Sequence, residues 1–298
     1  MNYDKYIKLH KGRKLIPMEQ IYISEKTQKN GKVIIFDLDE TIGSFSDFYI
    51  LWNTIETHNL QIDFNELLDL YPEFLRHGIL HILEFIYYKK QTGECSKMYI
   101  YTNNQCLSKC INENSKNWVQ LIIDYIESKI IPKESVGRLF DQVIHAFKLG
   151  EKRYELKRTT SAKTHSDFIK CTLLPKITEM CFIDNSFFPK MCGEHVYYIQ
   201  PRSYFHYLRT DEIIDRFISS ELYKKLNTRQ CFETILYQVF LEKQPTINMI
   251  LLEKRLETDI LISQKMMYYI REFFYLYSRR IKTRKLKQKI GRFTRKKL

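Results

Sequence analysis

The sequence predicts an α/β fold: a parallel β-sheet followed by a helical extension. Short apolar runs alternate with longer stretches of helical periodicity, the pattern of strands joined by helical crossovers. The run at 33–36 is apolar throughout, as expected of a strand buried on both faces of its sheet. Beyond about residue 207 only helical periodicity remains. We therefore expect a Rossmann-like sheet domain, with ligands binding beyond the carboxyl ends of its strands.

Each element follows from its local pattern. Residues 43–52 begin with Gly and Ser, and we expect them to leave the first strand as a loop or short hairpin before helical structure begins. The predicted strands are 33–36, 98–101, 142–147, the apolar part of 179–186, and 195–199. The predicted helices are 78–90, 116–130, one opening within 163–170, and then 211–226, 229–242 and 251–277. The expected domains are a polar lead (1–31), a catalytic domain (32–206), a helical extension (207–277) and a basic tail (278–298).

Charge is concentrated at the end of the sequence. The 298 residues carry a net charge of +13, but residues 279–298 hold 11 Lys or Arg and no acid. The rest of the chain has 37 basic against 35 acidic residues, which is nearly neutral. Such a basic block is typical of a contact with nucleic acid or an acidic partner, or of a nuclear import signal.

Cysteine content and hydropathy indicate the cellular compartment in which the protein is expected. The seven cysteines are odd in number and include no CxxC pair, so reduced thiols in an intracellular protein are expected. No apolar run approaches about 18 residues, and the first residues lack the apolar centre of a signal peptide. We expect a cytoplasmic or nuclear protein without a membrane partner.

Polar residues follow three of the predicted strands. They are Asp37 and Asp39 after the first strand, Thr102 with Asn103 and Asn104 after the second, and Asp184 with Asn185 after the 179–183 run. Carboxyl ends of parallel strands share one edge of a sheet, so these groups should lie together. Paired carboxylates suit nucleophilic and general acid–base steps, and oxygen donors from several strands suit Mg²⁺.

The motifs Asp37-Leu38-Asp39-Glu40-Thr41 and Ile183-Asp184-Asn185-Ser186 resemble those of haloacid dehalogenase (HAD) superfamily phosphatases. The resemblance is narrowest to the Mg²⁺-dependent branch that includes RNA polymerase II C-terminal-domain phosphatases and their small relatives. It covers roughly residues 30–200. Asn103 and Asn104 depart from it, since that branch usually has small residues there.

The resemblance assigns roles to these residues. Asp37 is expected to be the nucleophile and a metal ligand, and Asp39 the general acid/base with its backbone carbonyl on the metal. Thr102 is expected to bind the phosphoryl group together with Asn103. Asp184 and Asn185 would complete the Mg²⁺ shell, directly or through water. The lysine that offsets the phosphate charge is expected to be Lys163, with Lys170 as the alternative.

Three functions remain open from the sequence. The leading expectation is a Mg²⁺-dependent phosphatase that acts through an aspartyl-phosphate on phosphoserine or phosphothreonine in a protein. A polynucleotide 3′-phosphatase keeps the same chemistry and uses the basic tail to hold the strand. A binding or virion protein that retains the fold without turnover is the third.

Overall fold

A computed structural model describes residues 5–17, 31–105, 117–135, 137–226, 229–243 and 252–278. Six strands form the central sheet in the order β1-β9-β8-β3-β4-β5. Their bounds are β1 (Ile7–Lys11), β3 (Lys32–Phe36), β4 (Cys95–Tyr101), β5 (Gln142–Ile144), β8 (Met180–Ile183) and β9 (Val196–Pro201). Two small two-stranded sheets pair β2 (Leu15–Pro17) with β10 (Leu276–Ser278), and β6 (Lys148–Leu149) with β7 (Lys152–Arg153).

The described residues also form nine α-helices. Their bounds are α1 (Ser46–Thr57), α2 (Phe64–Asp69), α3 (Ile79–Gln91), α4 (Trp118–Ile130), α5 (His165–Thr172), α6 (Thr210–Ser219), α7 (Glu221–Lys224), α8 (Arg229–Lys243) and α9 (Leu252–Tyr275). Four of the five pairings in this sheet are parallel, and the fifth joins β1 antiparallel to β9. The fold is therefore α/β with a mostly parallel sheet, compatible with a Rossmann-like architecture.

The alternation of side chains along β3 divides the core in two. Ile34 and Phe36 face a large cluster shared with most of the helices, while Val33 and Ile35 face a smaller one that includes Phe168 of α5. All four of these residues are fully buried. Because the strand is buried on both faces, it has no polar side chain between Lys32 and Asp37, and Asp37 lies where the sheet edge opens.

The first strand of the sheet was not expected from the sequence. Residues 7–11 lie in the predicted polar lead, yet they form β1 and pair with β9. Only Ile7 of this strand is fully buried, because an edge strand needs few apolar residues. The predicted loop after the first strand is also shorter than expected, since α1 begins at Ser46.

The helical extension shares the core of the sheet. Ile213 and Phe217 of α6 belong to the same buried cluster as Ile34 of β3. The helix predicted over 211–226 is interrupted at Ser220, whose hydroxyl accepts a hydrogen bond from the amide of Tyr223 and so begins α7. The division into domains stays a prediction, but the helices pack against the sheet as part of one core.

Two further expectations from the sequence concern membrane-spanning helices and the basic tail. None of the helices in the described residues has the length and apolar character that a membrane crossing requires. The basic tail from 279 onward lies outside the described residues.

Candidate functional site

Three adjacent parallel strands bring the predicted site residues to one edge of the sheet. β3 is flanked by β8 on one side and β4 on the other. Asp37 directly follows β3, Thr102 follows β4 and Asp184 follows β8. All three are at least nine-tenths buried.

Lys163 joins two of these strand ends. Its ammonium group donates to Oδ1 of Asp37 and, at 2.7 Å, to Oδ2 of Asp184. Burial opposes the charge of this lysine, but the two carboxylates together outweigh it and raise the pKa of Lys163. Burial raises the pKa of Asp184, while Lys163 opposes that rise. The three groups form a buried ion triad with the cation at its centre.

The position of Lys163 depends on the start of α5. Thr164 caps this helix, and its hydroxyl accepts from the amide of Asp167 at 3.0 Å. The Lys163 ammonium also lies over the rings of Tyr101 and Phe188, at 5.8 and 5.4 Å from their centroids. The alternative lysine, Lys170, is 53% exposed and contacts Asp167 instead. The structure therefore places Lys163, and not Lys170, at the strand ends.

The loop after β3 is tied to Asn185. The Thr41 hydroxyl lies 2.9 Å from Oδ1 of Asn185 and 3.3 Å from Oδ2 of Asp37, and it accepts from the amide of Asn185 at 3.0 Å. The side-chain amide of Asn185 also donates to the Glu40 carboxylate and to the Ser203 hydroxyl. Glu40 has φ of 57°, a left-handed conformation that is costly for a residue with a Cβ. This loop is thus held in an unfavourable conformation by contacts from outside it.

Asp39 is oriented by Asn104. The side-chain amide of Asn104 donates to both carboxylate oxygens of Asp39, at 3.1 and 2.9 Å. Burial raises the pKa of Asp39 to about 6, although the Asn104 hydrogen bonds oppose the rise. A carboxyl group that titrates near neutral pH can both give and accept a proton under ordinary conditions.

Thr102 and Asn103 are fixed by Arg158, which is fully buried. The guanidinium donates to the carbonyl of Thr102 at 3.0 Å and to Oδ1 of Asn103 at 2.7 Å. It also donates to the carbonyl of Ser161, two residues before Lys163, at 2.9 Å. The Thr102 hydroxyl accepts from the amide of Asn104 and keeps its own hydrogen for another acceptor. Arg158 therefore sets the spacing between the Thr102 turn and the lysine.

The donor set at this edge fits a magnesium ion by its chemistry. Two carboxylates, those of Asp37 and Asp184, converge closely enough to share one ammonium group. The backbone carbonyl of Asp39 and the side chain of Asn185 supply neutral oxygen, which Mg²⁺ accepts alongside water. Among the described residues, no three His, Cys, Asp or Glu side chains are grouped so that they alone could hold a metal. A site here thus depends on backbone, amide or water oxygens as well.

No protein-family model, curated protein or solved structure matches this chain.

Sequence reasoning missed three residues that shape the site. Asn104 was expected at the strand end beside Thr102 and Asn103, and as a departure from the family pattern, but no role was assigned to it. Arg158 lies in a charged stretch without periodicity. Arg76, which donates to the carbonyls of Thr41 and Glu40, precedes a helix. Nothing in their local sequence signals that these arginines bind backbone carbonyls. Their roles depend on contacts between distant segments.

Proposed function

We propose that this protein is a Mg²⁺-dependent phosphatase of the HAD type, which hydrolyses a phosphomonoester through an aspartyl-phosphate at Asp37. The observation that carries the proposal is Lys163, whose ammonium joins Asp37 and Asp184 at the carboxyl ends of β3 and β8. A buried carboxylate beside a fixed cation, with a second carboxyl group two residues away, is the arrangement that stepwise phosphoryl transfer requires.

In the first step, a carboxylate oxygen of Asp37 attacks phosphorus and the bond from phosphorus to the leaving oxygen breaks. Asp39 gives its proton to that leaving oxygen. In the second step, water attacks phosphorus while Asp39 takes a proton from it, and the bond between phosphorus and Asp37 breaks to release phosphate. The pKa of Asp39, about 6, suits both directions of proton transfer.

Lys163 and the Thr102 turn would hold the phosphoryl group. Lys163 offsets charge on the carboxylates and on the phosphoryl oxygens, and the Thr102 hydroxyl has a hydrogen to donate. Asp37, Asp184, Asn185 and the carbonyl of Asp39 would hold Mg²⁺, which neutralises phosphate charge when bound. Asn104 keeps the Asp39 carboxylate in one orientation.

We further propose a phosphoprotein substrate, at phosphoserine or phosphothreonine, on the family resemblance of the two acidic motifs. The alternative, a 3′-phosphate on nucleic acid, is favoured by the 11 basic residues of 279–298.

Hydrolysis of an aryl phosphate tests the chemistry. Wild type should release phosphate with Mg²⁺ and lose this activity with a chelator. Asp37→Asn should abolish turnover, and Asp39→Asn should lower kcat by about 10²–10⁴-fold because proton transfer is lost. Asp211→Asn, the same change on an exposed helical residue, serves as the control. Equal rates of aryl-phosphate hydrolysis in wild type and both site variants would refute the proposal. A binding protein without turnover would then be the better hypothesis.

A further inference from the structure

A buried arginine, Arg76, holds the backbone of the loop that follows β3. Arg76 is 1% exposed, and its guanidinium donates to the carbonyls of Thr41 and Glu40, each at 2.6 Å. The same guanidinium donates to the carbonyl of Arg202 at 2.9 Å. Glu40 is the residue with positive φ, so Arg76 supports the loop at its least favourable backbone position.

The buried polar face of helix α9, in the helical extension, lies near Arg76. Asp259 is 3% exposed, and its carboxylate lies 3.6 Å from the guanidinium of Arg202. Burial lowers the pKa of Arg76 to about 10, and the charge of Asp259 is the largest influence that opposes this. Ser263 lies one turn further along, and a Cβ added at Gly78 would be 3.7 Å from its Cβ. The helix therefore packs directly against the 76–78 turn.

Asp259, Arg76 and Arg202 carry the charges at this contact. Arg202 pairs with the buried carboxylate of Asp259 at 3.6 Å, and the charge of the same carboxylate favours the ionised form of Arg76. Without the charge of Asp259, Arg76 would be a buried cation beside another cation, a costly arrangement that favours movement of one of them. Any movement of Arg76 removes donors from the Glu40 and Thr41 carbonyls.

We propose that Asp259 of α9 is a positioning residue for the catalytic loop: it holds Arg76, whose guanidinium fixes the backbone of Glu40 and Thr41 and so the directions of Asp37 and Asp39. The term catalytic rests on the proposed phosphatase function. The helical extension is thus part of the active-site framework, although it lies outside the region that resembles the HAD family.

The test compares two acid-to-amide changes on the same helix. Asp259→Asn removes the charge beside Arg76. Glu272→Gln is the matched control, because Glu272 also pairs with a cation, Lys11, and accepts from the Tyr197 hydroxyl, but none of these groups touches the loop. Asp259→Glu is the rescue variant. Each is measured in the full chain for aryl-phosphate kcat and KM, for thermal unfolding, and for hydrogen exchange at the amides of Ile42 and Gly43.

We expect Asp259→Asn to lower kcat about tenfold with KM changed less than twofold, because the loop orients reacting groups more than it binds substrate. Exchange at the two loop amides should rise at least tenfold. Glu272→Gln should lower thermal stability less, because the Glu272 side chain is 33% exposed, and it should leave kcat and loop exchange unchanged. Asp259→Glu should recover part of the kcat. Unchanged kcat and loop exchange in Asp259→Asn would overturn the inference.

The two proposals fail separately. If wild type releases no phosphate, the proposed function is overturned, and loop exchange alone decides whether Asp259 holds the loop. If wild type is active and both acid-to-amide variants lose kcat equally, Asp259 contributes only general stability and the positioning role is refuted.

Discussion

At the scale of single residues, the ammonium group of Lys163 is the centre of the site. It is 2% exposed and lies between two carboxylates that are themselves buried. Removing one partner from such a group leaves charge without compensation, which costs more than the interaction itself contributes. We therefore expect the lysine to contribute to stability as well as to the proposed chemistry.

Lys163→Met should lower kcat for an aryl phosphate by at least about 10²-fold, since a fixed cation beside the phosphoryl group is lost. It should also lower the free energy of unfolding by about 3–5 kcal/mol, because the carboxylates of Asp37 and Asp184 then share a buried site without a counter-charge. Lys170→Met is the control: Lys170 is 53% exposed, and both quantities should stay near wild type. Urea titration and steady-state kinetics measure them. Comparable losses in the two variants would contradict the assignment.

The acidic residues of the site were predictable because a strand buried on both faces makes its first polar residue conspicuous. Asp37 and Asp184 each follow four buried strand residues in this way. The choice of Lys163 over Lys170 needed only the expected helix start. Arg76 and Arg158 could not be predicted, because most of their partners are backbone carbonyls, which carry no sequence signal.

At the scale of elements, α5 shows how a short helix fixes a functional side chain. Its first turn contains Asp167, which is 1% exposed and accepts from the amide and hydroxyl of Thr159, both at 2.9 Å. Burial opposes ionisation of this carboxyl, but these hydrogen bonds outweigh it and lower the pKa of Asp167. The contact closes the loop that carries Lys163 onto the helix.

Asp167 should make stability depend on pH at the acid end. Its pKa is lower in the folded chain than the ordinary value of about 3.9, so its contribution is complete above that value and is lost as pH falls through the folded pKa. Asp167→Asn should therefore reduce the free energy of unfolding by about 1.5–3 kcal/mol at neutral pH. The difference from wild type should shrink below about pH 4. Urea unfolding across pH 3–7 measures it, and a difference independent of pH would disprove the role of the charge.

The sequence predicted helices and strands well where a segment buries a continuous set of apolar residues. It failed where a segment is only partly buried. The inner strands β3, β4 and β8 and the long helices α3, α4 and α9 lie close to their predicted bounds. The edge strand β1 was missed because its sequence, IKLHK, alternates apolar and polar residues over only five positions. Its identity depends on pairing with β9, almost 190 residues later.

At the scale of the whole molecule, the nearly neutral body and the basic stretch 279–298 have separate consequences. The proposed chemistry acts on a phosphomonoester whatever molecule carries it, while the basic stretch favours polyanions. Under this proposal, the choice between a protein and a nucleic-acid substrate depends on residues outside the site.

Removal of residues 279–298 should separate the two substrate classes. Hydrolysis of a phosphoserine peptide should be unchanged, whereas hydrolysis of a 3′-phosphorylated oligonucleotide should weaken and lose its steep dependence on salt, because fewer counterions are released on binding. Initial rates for both substrates at several salt concentrations provide the measurement. Loss of peptide hydrolysis on truncation would contradict a role limited to nucleic acid.

The pairing of β2 with β10 constrains how the chain acquires its structure. Leu15 pairs with Ser278, and β1 must wait for β9, so both ends of the described fold are completed by contacts between early and late segments. Contacts of such long range slow folding because loop closure precedes any stabilisation. During synthesis, the apolar face that α9 covers would stay exposed until α9 emerges. A partly made chain would therefore be a natural client for chaperones.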